Sequence, residues 1–215
     1  MSMHQQIKTL QKVVTRKGNS KALTFSMPHV LKSILYLTNQ KYVSRASFCK
    51  ELHMGEGAVR TLISHLKELG LVDSIKSGTF LTSKGKKFAD KFLTIMPSQT
   101  FLKKCCLTNG KHNCAILLNN EHIDDIGNGM QQRDFAILYG ASDSLTLIFR
   151  EGEFVFSGDQ IRCFEDELEI RDNLIESLKP KNEDIVIITS SDDKFVAEIS
   201  AINTAIGTLA THEKH

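Results

Sequence analysis

The spacing of apolar residues changes at Gly70, and that change limits what the first hundred residues can fold into. Before it, Val59, Leu62, Ile63, Leu66 and Leu69 recur at helical period and share one face. After it, residues 71–75 and 79–81 are strand-sized runs joined by the turn Lys76-Ser77-Gly78. The helix before the break runs over about 57–69, with Gly70 as the residue that stops it. Upstream, Pro28 starts a helix to about Asn39 with Val30, Leu31, Ile34, Leu35 and Leu37 inward. Ser44 caps a short helix with Ala46, Phe48, Cys49 and Leu52 inward, ending near Met54-Gly55. Downstream, Ser83 caps a helix over about 84–95, with Phe88, Phe92 and Ile95 on one side and Pro97 beyond its end. The twenty or so residues before Pro28 read as a polar, basic lead.

Charge divides the chain further on, after residue 96. Residues 1–96 hold 16 Lys and Arg against 5 Asp and Glu, a net of +11; residues 97–215 hold 11 against 20, a net of −9. No acidic residue precedes Glu51. Segregation of this kind predicts two domains with different partners: 1–96 basic, 97–112 a connector carrying the turn Asn109-Gly110, and 113–215 acidic. A basic domain gains from releasing counterions at a phosphate backbone, which points to nucleic acid. The acidic domain is repelled by the same polyanion.

Helix, short helix, turn, longer helix, hairpin, helix is the element order of a winged helix-turn-helix. The stretch from Gly55 to Val72, with Val59-Arg60 near the helix start and Leu69-Gly70-Leu71-Val72 at its exit, resembles the winged-helix regulators of bacteria and archaea. So does Leu81-Thr82-Ser83-Lys84-Gly85, entering the next helix. This resemblance covers residues 27–96 and implies a DNA-binding transcriptional regulator. Gln132-Arg133-Asp134 and Tyr139-Gly140-Ala141-Ser142 are similar to the C-terminal domain of an archaeal winged-helix family, a domain with no assigned activity. The whole chain is thus expected to be an α+β winged helix-turn-helix followed by an α/β domain.

In that motif the N-terminal part of the second helix enters the major groove. With the apolar face inward, the opposite face offers Gly57, Arg60, Thr61, Ser64, His65 and Lys67. Arg60 is placed to grip guanine O6 and N7, with Thr61 and Ser64 in reach of base edges or phosphate, and Gly57 leaving room for close approach. Ser44 and Arg45 start the preceding helix, where phosphate contacts fall. Lys76 at the hairpin tip and Lys84, Lys86 and Lys87 beyond it extend the footprint. Taken singly, each of these side chains is as readily a solvated surface residue.

The acidic half alternates: strands over 114–118, 145–150, 154–156 and 184–189, and helices over 124–139 (with a break at Gly127-Asn128-Gly129), 165–178 and 192–209. Alternation with one hairpin predicts an α/β layer with a mixed sheet. Three groups there carry candidate chemistry. Cys105, Cys106, His112 and Cys114 are soft ligands, but the spacing C-C-x5-H-x-C is no standard zinc signature. Asp134 shares a helix face with Met130 and Ile137, a costly place for a carboxylate unless a ligand or another chain pairs it, and Arg133 lies beside it. Ser190, Ser191 and Asp192 fall where a strand gives way to a helix, the usual ligand position in α/β sheets, though a helix N-cap by Ser191 or Asp192 explains them equally.

No Gly-rich phosphate loop, nucleophile elbow or His-Glu metal motif is present, so neither an enzyme nor a bound cofactor is expected. Apolar runs are strand-sized, short of the ~20 residues of a membrane helix, and no signal-peptide core follows Lys8, Lys12, Arg16 and Lys17. Five cysteines in no framework spacing suit a reducing cytoplasm. The expected protein is a cytoplasmic, prokaryotic regulator binding double-stranded DNA, with the acidic domain making a homodimer, sensing a small-molecule effector, or both. The alternative is a winged-helix interaction module in a transcription or RNA-handling assembly. For the dimer, the last helix offers a seam of Phe195, Ile199, Ile202, Ile206 and Leu209 beside Ala197, Ala201 and Ala205. If that face covers its own sheet instead, the contact is expected at a sheet edge or on helix 165–178.

Overall fold

The computed structural model describes residues 2–15, 23–159 and 161–211, leaving aside the side chains of 122 and 125. Part of the basic lead, with Arg16 and Lys17, lies outside the described residues. Among the described residues there are eight α-helices and two sheets, and the chain divides into two compact units, Met1–Phe92 and Leu93–His215.

The first unit contains α1 (Met3–Val13), α2 (Met27–Thr38), α3 (Arg45–Glu51), α4 (Glu56–Glu68), strands β1 (Val72–Ile75) and β2 (Gly78–Leu81), and most of α5 (Ser83–Ile95). The lead is not merely a polar arm. Ser2 caps α1, and Ile7, Leu10 and Val13 are buried on its inner face at spacings of three, against α2 and α4. Burying each of these contributes about 2 kcal/mol, which outweighs the polar majority of the segment. Between α2 and α3, the ammonium of Lys32, almost fully buried, is held by the carboxylate of Glu51.

The Leu-Thr-x-x-Gly segment has a physical explanation. Thr82, not Ser83, caps α5: its hydroxyl accepts from Gly85 N at 3.0 Å and donates to Gly70 O at 2.6 Å. Gly85 passes so near Leu71 that a Cβ would lie 1.9 Å from the Leu71 carbonyl oxygen. Gly70 ends α4 at φ +68°, with Leu71 N bonding back to Leu66 O. One threonine and two glycines therefore fix where the hairpin leaves α4 and where α5 begins. The hairpin turns on Lys76 and Ser77, with Gly78 already paired to Ile75, and Val43 joins Thr79 through a single antiparallel bridge.

The second unit holds β3 (Gln99–Leu102), β4 (His112–Leu118), a 3-10 turn (Asn120–Asp125), α6 (Met130–Ile137), β5 (Asp143–Arg150), β6 (Glu153–Phe156), α7 (Leu168–Leu178), β7 (Ile185–Ser191) and α8 (Lys194–Thr211). The sheet order is β3-β4-β7-β5-β6, and every neighbouring pair is antiparallel. The expected mixed sheet is therefore corrected. β4 and β5 do run parallel, as their helical crossover requires, but β7 inserts between them and pairs antiparallel with both. The expected connector 97–112 is likewise part of the fold, since β3 forms the edge strand beside β4.

Alternation sends the side chains of the sheet to two covered faces. Ala115, Leu117, Val186 and Ile188 pack with Leu174 and Leu178 of α7, Phe154 and Phe164. On the other face Thr189 Oγ1 donates to Ala197 O of α8, while Asn203 of α8 bonds the Phe135 carbonyl of α6. Here the last helix uses up most of its seam: Ile199, Ile202, Ile206, Leu209, Ala197, Ala201 and Ala205 are buried, and Phe195 is half-buried. The dimer contact expected on α8 is excluded by that burial.

Candidate nucleic-acid interface

A cleft of about 550 Å³ lies between α4 and the β1–β2 hairpin, with the start of α3 at its rim. It is lined by Ser44, Arg45, Arg60, Ser64, Lys67 and Lys76 together with Val43, Ile63 and residues 74–79. Six residues selected one by one from the sequence thus meet on one concave surface. Ser44 is the N-cap of α3, accepting from Ser47 N at 3.0 Å, which aims the first turn of that helix and Arg45 at the cleft. Arg60 projects from the second turn of α4. Its side chain is 68% exposed and Arg45's is 54% exposed, so both guanidinium groups are available to a ligand.

These charges are already arranged by a carboxylate. Glu56 Oε1 accepts from Arg60 Nη2 at 3.0 Å and lies 3.5 Å from Arg45 Nη1. Exposed pairs of this kind contribute about 0–1 kcal/mol, little enough for a phosphate or guanine to displace. Lys67 lies 3.4 Å from Asp73 at the foot of the hairpin. The Asp73 carboxyl is held below its ordinary range, first by the Ser74 N–H and then by Lys67.

The remaining expected contacts scatter. His65 is corrected: its Nδ1 donates to Val13 O at 2.6 Å, and its ring meets Phe25 edge-on. It ties α1 to α4 across 52 residues of chain, a contact that no local spacing displays. Lys84 is also occupied, donating to Leu69 O at 2.7 Å at the end of α4. Lys86 lines a different hollow, with Tyr42, Phe80 and Asp90, while Lys87 is exposed on α5. Thr61 is half-buried and its hydroxyl turns back to Gly57 O; a Cβ at Gly57 would meet nothing within 4 Å. Sequence reasoning missed the hairpin wall of the cleft, Ser74, Ile75, Ser77 and Thr79. The alternation of 72–81 was legible, but only the Val43–Thr79 pairing shows which side of the hairpin faces α3.

In the second unit the expected sites mostly dissolve into the fold. Cys105 lies in the α7-side core, whereas Cys114, adjacent in sequence to Ala115 of that core, points to the opposite face of the sheet. Cys106 donates its Sγ–H to Glu167, whose carboxylate raises the pKa of the thiol. His112 is half-buried at the start of β4. The four do not meet, and no group of three or more metal-capable side chains occurs among the described residues. Ser190 Oγ accepts from Gly110 N at 2.8 Å, Asp192 accepts from Lys111 N, and Ser191 accepts from Asp193 N. The helix cap falls to Asp193, which takes the N–H groups of Phe195 and Val196. The turn 109–111 therefore fills the strand end where a ligand was expected. Arg133 and Asp134 are both exposed on α6 and carry no such internal bond.

The two parts match different families. Residues 109–209 match a domain of unknown function (DUF4443). Residues 30–87 match the PH0730-like N-terminal domain. The chain is similar to the solved structure of hypothetical protein PH0730 from the archaeon Pyrococcus horikoshii OT3, with 27% identity and a TM-score of 0.66. That likeness covers 84% of this chain and 91% of the other. No curated protein matches. The cleft lies within the span of the first-unit match, and α6, α7 and all but the last two residues of α8 within that of the second. No described helix is long and apolar enough to cross a membrane.

Proposed function

We propose that the chain is a DNA-binding transcriptional regulator whose first unit acts as a winged helix-turn-helix. The observation that carries this reading is the cleft in which Ser44, Arg45, Arg60, Ser64, Lys67 and Lys76 converge between α4 and the hairpin. In the proposed complex α4 lies in the major groove with Arg60 on a guanine edge and Ser64 beside it. The α3 N-terminus, Arg45, Lys67 and Lys76 hold the flanking phosphates, and Lys86 and Lys87 add long-range attraction. Glu56 gives way at the moment of binding. The second unit, net acidic, takes the role of dimerisation or effector sensing.

The test is equilibrium binding of the full chain to duplex DNA selected from a random pool, across a salt series. Affinity is expected to fall about 100-fold or more between 50 and 200 mM salt. Arg60→Ala is expected to cost about 1–3 kcal/mol at the selected site and less elsewhere. An unchanged ratio of selected to bulk affinity in that variant rejects the assignment of α4 as the reading helix. A second reading, a winged-helix module that docks another protein, is favoured by Ile75, half-exposed at the hairpin tip beside Lys76. Binding that responds to Ile75→Ser but not to salt supports it instead.

A further inference from the structure

We infer that the outer face of α6 is the contact through which two copies of this chain associate, a conclusion that rests on the dimerising role proposed above for the second unit. Seven residues after Met130, almost two helical turns on, comes Ile137, and Leu138 follows; they are 62%, 42% and 76% exposed. The opposite side of α6 is occupied by its own domain: Ala136 and Gln132 are buried, and Asn203 of α8 bonds the Phe135 carbonyl. Large apolar side chains left outside on one short helix need a cover.

The charges on this face indicate what covers it. Successive residues are about 100° apart on a helix, so Arg133 and Asp134 fall about equally to either side of the line joining Met130 and Ile137. Both are exposed, and neither is ion-paired among the described residues. Two copies of α6 side by side about a two-fold axis along the helices bring opposite flanks together. Arg133 of each copy then faces Asp134 of the other, at heights differing by about 1.5 Å, one residue's rise. Met130 and Ile137 meet between the two ion pairs. A patch with one positive and one negative flank is complementary to itself, as a two-fold contact requires. The helix has only 8 residues, less than the roughly 800 Å² per partner of a standard interface, so the association is expected to be weak, with a dissociation constant on the order of micromolar.

Sedimentation equilibrium of the full chain tests this. A concentration-dependent dimer is expected, weakened about tenfold or more by Leu138→Glu and by Arg133→Asp. The double variant Arg133→Asp with Asp134→Arg restores both ion pairs and is expected to recover the dimer; a merely structural effect of either charge does not predict that recovery. All three sites are exposed, and thermal melts check that the variants fold. A monomer at the highest concentrations, a dimer indifferent to Leu138→Glu, or a double variant as weak as Arg133→Asp overturns the proposal. DNA titrations on the same variants separate the two readings. Monomeric variants that still bind a half-site leave the DNA reading standing, and a dimer without DNA binding leaves this one.

Discussion

The two units treat their polar side chains in opposite ways. In the first, Arg45, Arg60, Lys67 and Lys76 stand around an open cleft, and the internal partners of the first three are exposed carboxylates. In the second, the polar residues at a strand end are engaged by backbone N–H groups: Ser190 with Gly110, Asp192 with Lys111, Asp193 with the start of α8. Those cations of the first unit stay open to solvent, whereas the serine and aspartates of the second set chain geometry. What separates them is that Ser and Asp oxygens accept from a nearby backbone N–H, which Arg and Lys side chains cannot do.

The largest effect expected from breaking this contrast is on stability. Gly85→Ala drives a methyl into the Leu71 carbonyl, and neither backbone segment can retreat, so the first unit should lose about 3 kcal/mol. Gly207→Ala in the second unit meets the Phe135 side chain at 2.5 Å rather than a backbone carbonyl, and should cost less. Hydrogen exchange separates the two, with lost protection confined to α4, α5 and the hairpin for the first and to α6 and α8 for the second. Uniform loss across both units would mean that they do not unfold separately.

Next comes charge reversal. Arg45→Glu with Arg60→Glu should weaken duplex binding by about 100-fold, through lost contacts and added repulsion. Lys103→Glu with Lys104→Glu, the same change of charge in the second unit, should change it by about twofold or less, through the long-range field alone. Equal losses in the two variants would mean that net charge, and not the cleft, governs binding.

A smaller effect is expected from Glu56→Gln. Freeing Arg45 and Arg60 should raise affinity for all duplexes several-fold and lower the preference for one sequence, as competition binding reads directly. Smallest are the thiols. Burial, aided by Asp159, pushes Cys163 up to about 12, so its thiolate forms only near that pH and iodoacetamide should spare it at pH 8. Cys106 is exposed but held protonated by Glu167, so Glu167→Gln should lower its pKa and speed its alkylation at pH 8 several-fold.

The sequence alone determined the helical periods of α2 to α5, the hairpin, the stop at Gly70 and the charge of each half. Each rests on neighbours within about a turn, and local neighbours are what a sequence displays. It also placed Ser44 as a cap and picked out six residues of the cleft. Tertiary structure alone decided that α1 exists as a packed helix, because Ile7, Leu10 and Val13 gain only from a partner surface some tens of residues away. It decided that His65 reaches Val13 rather than solvent, and that Cys105 and Cys114 lie on opposite faces. It decided the antiparallel sheet, since strand direction depends on β7 entering between β4 and β5, pairings across about seventy and about forty residues that no local period records. And it decided which apolar helix face stays outside. The seam on α8 and the shorter one on α6 look alike as spacing, and only the packing of the sheet shows that the first is covered and the second is not.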